Sequence, residues 1–224
     1  MILYREIHHT QIQSNSIHRL KKAIIVLILG LISVVILNCS DPLVFSVMGD
    51  IPRSDDEKII LQEQIIKHNK LSQSQFVFHV GDIKSGDSLC PEDNYALVAK
   101  YLKQLTVPVF IIPGDNEWND CENPNRAWNF WNKYFISFDQ NWEVPFNILR
   151  QENYLVNIAF VKNNVLFIAL NLVGGRIHDQ VEWDLMQQNA IDWIEQQLGH
   201  KGISAAVILA QANLDDKHKL FTGH

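Results

Sequence analysis

Three apolar runs in the first half of the chain stop at the same polar pair: Leu43–Met48 at Gly49-Asp50, Phe76–Val80 at Gly81-Asp82, and Val107–Pro113 at Gly114-Asp115. Short apolar runs without polar alternation predict strands buried on both faces. The segments between them carry helical spacing instead. Ser54-Asp55-Asp56-Glu57 has the form of a capping box, and Ile59, Ile60, Ile65 and Ile66 predict an apolar helix face reaching about Asn69. Tyr95, Leu97, Val98, Tyr101, Leu102 and Leu105 predict a second helix over Asp93 to Leu105. With strands at Phe76–Val80 and Val109–Ile112, this β-α-β-α-β order and right-handed crossovers predict a parallel α/β sheet.

The second half reads differently. Ala127 to Phe138 holds Trp128, Phe130, Trp131, Tyr134, Phe135 and Phe138 at helical spacing. Such a face suits either core packing or an aromatic ligand platform, and packing is its ordinary use. Glu152–Val161 and Val165–Leu170 are β-rich runs around the turn-like Lys162-Asn163-Asn164, which predicts a hairpin. A helix follows over Gln180 to Leu198, with Val181, Leu185, Ile191, Ile194 and Leu198 as its expected face and Gly199 as its stop. A last apolar strand, Ala205–Ala210, leads to Gln211-Ala212-Asn213.

With 224 residues, 47% hydrophobic and 20% charged, the chain has enough apolar material for one cored domain. Net charge is −6 and no basic cluster lies beyond the N-terminus, so no nucleic-acid partner is expected. The N-terminus stands apart. Basic residues up to Lys22 precede an apolar run from Ala23 to Leu37, as in a signal peptide or short membrane anchor. Residues 1–40 are therefore read as a targeting segment, the contact with the membrane, and residues 41–224 as an extracytoplasmic domain in the periplasm or at the cell surface. Cys39 loosely resembles the lipidated cysteine of a bacterial lipoprotein box, although Asn38 is unusual there; otherwise it is a free cysteine. Export into an oxidising compartment favours a disulfide between Cys90 and Cys121, with free thiols the alternative and a zinc site disfavoured by the lack of a matching His/Cys cluster.

If the three strands are parallel neighbours, Asp50, Asp82 and Asp115 converge at the carboxyl edge of the sheet, where folds of this class place their sites. Crowded carboxylates call for a cation, so a divalent metal site follows. A lone Gly-Asp means little, because Asp is common after strands. Three in register mean more.

These residues resemble the calcineurin-like metallophosphoesterases, which include the purple acid phosphatases. VGDIKSG, a later Cys, PGDNEWNDC, ENY before a hairpin, and a strand ending in Gln-Ala-Asn are similar to an exported bacterial branch whose third motif is Gly-Asp-Asn-Glu-Trp. The resemblance covers residues 43 to 213. It implies a calcineurin-like α/β/β/α sandwich and a binuclear metal centre that binds a small phosphorylated substrate and supplies the attacking hydroxide. By position it implies Asp82 as the bridging metal ligand, Asp50 and Asp115 as further ligands, Gln211 at the place of a later ligating histidine, and Asn116 at the catalytic position usually held by histidine.

The departures matter as much as the matches. Pro52 stands where a histidine is expected, Asn is a poor proton donor, and the usual Gly-His-x-His ending is not found in LDDKHKLFTGH. The C-terminal strands are therefore expected to be missing, with an exposed sheet edge in their place. Mn²⁺, Mg²⁺, Ca²⁺ or iron, one ion or two, suit the acidic ligand set better than zinc. The rival expectations are a degenerate, non-catalytic metal-binding or structural domain, or a Ca²⁺-stabilised binding module. His79 is a candidate donor behind a ligating carboxylate, or else a satisfied core histidine. Lys84 could meet a phosphate or pair with Asp87, and His178 lies in a loop that faces either the site or solvent.

Overall fold

A computed structural model describes residues 42–214 and 216–223, together with Lys21, Lys22 and Ile24. Cys39, His224 and nearly all of residues 1–40 lie outside the described residues. Among the described residues no helix is long and apolar enough to cross a membrane. Leu43–His224 form one compact unit.

The three apolar runs form a parallel sheet in the order β1-β2-β3, with β1 at Ser46–Met48, β2 at Val77–His79 and β3 at Val109–Ile111. Each strand is shorter than its run because pairing fades as the Gly-Asp turns begin. Beyond the strands the pairing continues only briefly, from Val80 N–H to the Met48 carbonyl at 2.8 Å, from Asp50 N–H to the Gly81 carbonyl at 3.0 Å and from Ile112 N–H to the His79 carbonyl at 3.0 Å. A second sheet has the order β4-β5-β6-β7, with β4 at Leu149–Gln151, β5 at Tyr154–Lys162, β6 at Val165–Ala169 and β7 at Ala205–Leu209. β5 and β6 are the expected hairpin; Asn163 and Asn164 turn it with φ of 50° and 62°, the left-handed geometry that tight hairpin turns demand. β7 joins β6 in parallel. β4 was not anticipated, because three residues, two of them polar, give no periodic signal.

Side-chain alternation separates three apolar layers. Phe76, Phe78, Phe110 and Ile112 point from the first sheet toward Ile158, Phe160, Phe167 and Ala169 of the second. The neighbouring positions Val77, Val109 and Ile111 face helices α1 (Asp55–Leu71), α2 (Glu92–Leu102) and α3 (Pro124–Phe135). Leu166, Ile168 and Leu170 face α4 (Gln180–Leu198), and a short α5 (Lys219–Thr222) follows. The result is the α/β/β/α sandwich. Each buried Phe contributes about 1.5–3 kcal/mol on removal from water, so the sheet-to-sheet layer is the principal source of cohesion.

Several local expectations change. Ser54 caps α1 by accepting Glu57 N–H at 3.2 Å, but the Glu57 carboxylate reaches past it to Arg53 N–H. On α1 it is Leu61 and Ile65 that are buried, while Ile59, Ile60 and Ile66 are exposed. On α4 the expected face is largely wrong: Val181, Leu185 and Leu198 are exposed, and Trp183, Met186, Ala190, Ile191 and Trp193 pack inward. Two indoles and a methionine bury more apolar area than scattered aliphatics, so the helix turns that face to the sheet. Gly199 ends α4 in a right-handed conformation (φ −69°), without the left-handed cap expected of it. The aromatic helix begins earlier than expected, at Pro124 behind an Asn123 cap, and stops at Phe135 because Ser137 is left-handed (φ 56°). Trp131 and Phe135 are core residues, which settles packing over the platform reading.

β7 is an edge. Ala205, Ala206 and Ile208 are exposed along it, and it carries none of the charges or prolines that protect sheet edges.

Candidate metal centre

The three Gly-Asp turns lie at one end of the first sheet but in different surroundings. Asp82 and Asp115 are buried close together, and the Asp115 charge acts on the Asp82 carboxyl. Asp50 keeps 63% of its side chain exposed and sits 3.6 Å from the Arg53 guanidinium. The backbones of the second and third turns touch: a Cβ on Gly114 would strike the Asp82 carboxyl and amide, so glycine is required there by close approach. Asp82 itself is left-handed, with φ 60°, a conformation that an L residue holds only under constraint.

The second sheet completes the wall. β7 carries the chain to Gln211, whose Nε2 donates to Asp82 Oδ2 at 3.2 Å and whose Oε1 accepts Gly174 N–H at 2.9 Å. Gly175, at φ 78°, lies against the carboxylates of Asp115 and Asp120, where any side chain would collide. Asn116 donates its backbone N–H to Asp82 Oδ1 at 3.4 Å. Asp82, Asp115, Asn116 and Gln211 are therefore brought together, while Asp50 stands at the rim, close enough for its charge to act on Asp82.

Electrostatics follow from the crowding. Burial and then the Asp115 charge push the Asp82 carboxyl well above the usual range, and burial with the Asp120 charge raises Asp115. Burial lowers Lys84, whose Nζ donates to the carbonyls of Ser85 and Asn116 at 2.6 and 2.8 Å. His79 is a satisfied core histidine. Its Nε2 donates to the Ile51 carbonyl at 2.9 Å and its Nδ1 accepts Gly81 N–H at 3.2 Å, so it ties the first turn to the second and backs no carboxylate. Burial lowers its pKa to about 4. His178 is held between Asn119 Oδ1 and Glu182 Oε2, both at 2.8 Å.

Cys90 and Cys121 form a disulfide with Cα atoms 6.0 Å apart, joining the loops that follow the second and third turns. Sequence reasoning missed two acidic residues. Asp120 Oδ1 accepts Arg176 N–H at 3.0 Å and pins the loop after β6 against the third turn. Glu117 is completely buried and accepts backbone N–H groups of both inner turns; burial and the Asp82 charge push its carboxyl up to about 8. The residues around it, Asp115-Asn116-Glu117-Trp118, carry no periodic signal that would turn a glutamate inward.

Do these residues suit a divalent cation? Two carboxyl groups forced together in a buried setting, each raised by its neighbours, form a hard oxygen site that a cation would relieve. Gln211 suits the site less well, because its oxygen is already committed to Gly174. Among the described residues no group of three or more His, Cys, Asp or Glu is spaced to hold a metal ion. Among these residues, the Asp82–Asp115 pair is the place where a divalent cation would fit.

The sequence model of the calcineurin-like phosphoesterases matches residues 36–222, and the chain belongs to that family. Its members are metal-dependent hydrolases of phosphate esters. No curated protein matches the chain.

Proposed function

We propose that the chain is an extracytoplasmic, metal-dependent phosphoesterase that cleaves a small phosphorylated substrate at the Asp82–Asp115 pair. The observation that carries this reading is the buried pair of neighbouring carboxyl groups at the carboxyl edge of the first sheet. Asp82 and Asp115 would hold the cation, Mn²⁺, Mg²⁺, Ca²⁺ or iron, with Asp50 at the rim beside Arg53 contributing only through its charge. When bound, the cation polarises the phosphoryl group and activates water. The chain's own residues do the rest: Asn116 and Gln211 line the pair and orient the ester, and the Gly174–Gly175 backbone leaves room beside it. A groove of about 580 Å³, lined by Asp87, the disulfide, Asp120, Arg126 and Arg176, would receive the alcohol part of the ester.

A second reading has its own support. Neither Asn116 nor Gln211 is an acid able to protonate a leaving group, and the described residues offer no three-residue metal cluster. A non-catalytic domain that binds one cation fits those two facts. Hydrolysis of an aryl phosphate by residues 41–224 with Mn²⁺ separates the readings. Turnover that depends on metal and vanishes in Asp82→Asn supports the enzyme; a folded, Mn²⁺-binding protein without turnover supports the binding domain.

A further inference from the structure

The β2–β3 ladder ends at the bond from Ile112 N–H to the His79 carbonyl. Beyond it the chains enter the Gly81-Asp82 and Gly114-Asp115 turns, and the N–H groups of Asp82, Ile83 and Gly114 have no strand partner opposite them. Buried N–H groups of this kind need an acceptor. The chain supplies one from within the third turn. Glu117, wholly shielded from solvent, returns its side chain under the turn: Oε1 accepts Gly114 N–H at 2.6 Å and Asp82 N–H at 3.1 Å, and Oε2 accepts Ile83 N–H at 3.4 Å. The hydroxyl of Tyr95 donates to the Glu117 carbonyl at 2.5 Å and fixes the brace from behind.

The pattern of bonds is specific. One oxygen atom holds the backbone of Asp82 and the residue immediately before Asp115, so the two carboxyl-bearing turns share a single anchor. The same anchor restrains the left-handed backbone of Asp82. Aspartate would be a methylene too short to reach both turns, and an apolar side chain would leave three buried donors unsatisfied.

We propose that Glu117 is a positioning residue that sets the separation of Asp82 and Asp115 and thereby the affinity of the pair for a divalent cation. The inference rests on the reading of that pair as a cation site. Glutamine at 117 keeps the oxygen shared by Gly114 and Asp82 but turns an amide N–H₂ toward Ile83 N–H. Methionine fills a similar volume and offers only a weakly accepting thioether.

The test is Mn²⁺ binding by the full chain, followed by electron paramagnetic resonance, with thermal melting of the metal-free protein in parallel. Glu117→Met is expected to weaken Mn²⁺ binding by roughly 10- to 100-fold, the range for groups that orient metal ligands. Glu117→Gln is expected to recover most of that loss, remaining about 3- to 10-fold weaker than wild type, with a displaced Ile83 amide resonance. Variants that melt lower but bind Mn²⁺ as wild type does overturn the proposal, since a purely structural role predicts that outcome. Should Glu117→Met not fold, Glu117→Gln decides alone, and wild-type affinity in it overturns the proposal. A wild-type chain that binds no Mn²⁺ overturns the cation reading and this inference with it.

Discussion

Asp50 and Asp82 end adjacent parallel strands, follow glycine, and share a left-handed backbone, with φ of 57° and 60°. Their surroundings are opposite. Asp82 is shut in with Asp115, held by Glu117 and Gln211, and pushed toward its protonated form by burial and like charge. Asp50 points its carboxylate into solvent beside Arg53, although its backbone N–H is bonded to the Gly81 carbonyl at 3.0 Å, and β1 is the outer strand of its sheet. One motif therefore produces a buried carboxyl pair where two side chains are pressed together and a solvated ion pair where the side chain turns outward. Position in the sheet, and not the Gly-Asp pair itself, makes the site.

That contrast can be broken or sharpened by experiment, beginning with the disulfide. Cys90 and Cys121 are 31 residues apart and fasten only the inner turns. The Cys90→Ala/Cys121→Ala double variant should lose about 3–4 kcal/mol in denaturant unfolding, the loop-closure expectation for that span. An unchanged unfolding midpoint would show that the inner turns hold without it. Asp82→Asn comes next: Mn²⁺ affinity by calorimetry should fall on the order of 100-fold, or about 2.7 kcal/mol. The same variant should melt higher than wild type without metal, because a like charge has been removed. A variant that melts lower in metal-free buffer would contradict the crowding argument.

pH should report the same crowding. Glu117, at about 8, and the Asp82–Asp115 pair are all raised in the folded state, so their contribution is fully present below the ordinary carboxylate range. It is lost as pH rises toward 8, at roughly 1.4 kcal/mol per pH unit for each proton released by unfolding. His79 works in the other direction: held near 4, it costs stability as pH falls from 6.5 toward 4. Metal-free protein should thus be most stable in mildly acid solution, and Mn²⁺ should abolish the decline above pH 7. Melting curves at pH 5, 6.5 and 8 with and without Mn²⁺ check this, and a metal-free optimum at pH 8 would refute it. The smallest effect is expected at Asp50. Asp50→Asn should change stability by less than about 0.5 kcal/mol, the scale of exposed ion pairs, and Mn²⁺ affinity by less than about 3-fold. A loss as large as that in Asp82→Asn would place the first turn in the centre after all.

Much of this protein could be read from order and composition alone. Apolar runs that stop at Gly-Asp determined the parallel sheet, the hairpin asparagines determined their turn, and the motif residues determined the family, because strand burial and left-handed turns constrain residue type locally. Helix faces were less legible. On α4 both Val181-Leu185 and Trp183-Met186 obey helical spacing, and only the available sheet surface chooses between them. The same holds for the site. Nothing local separates Asp50 from Asp82, reveals that Glu117 turns inward, or places Gln211 against a carboxyl 129 residues away. Those facts belong to the tertiary structure, because burial, like-charge crowding and unsatisfied backbone donors exist only once distant turns are packed against each other.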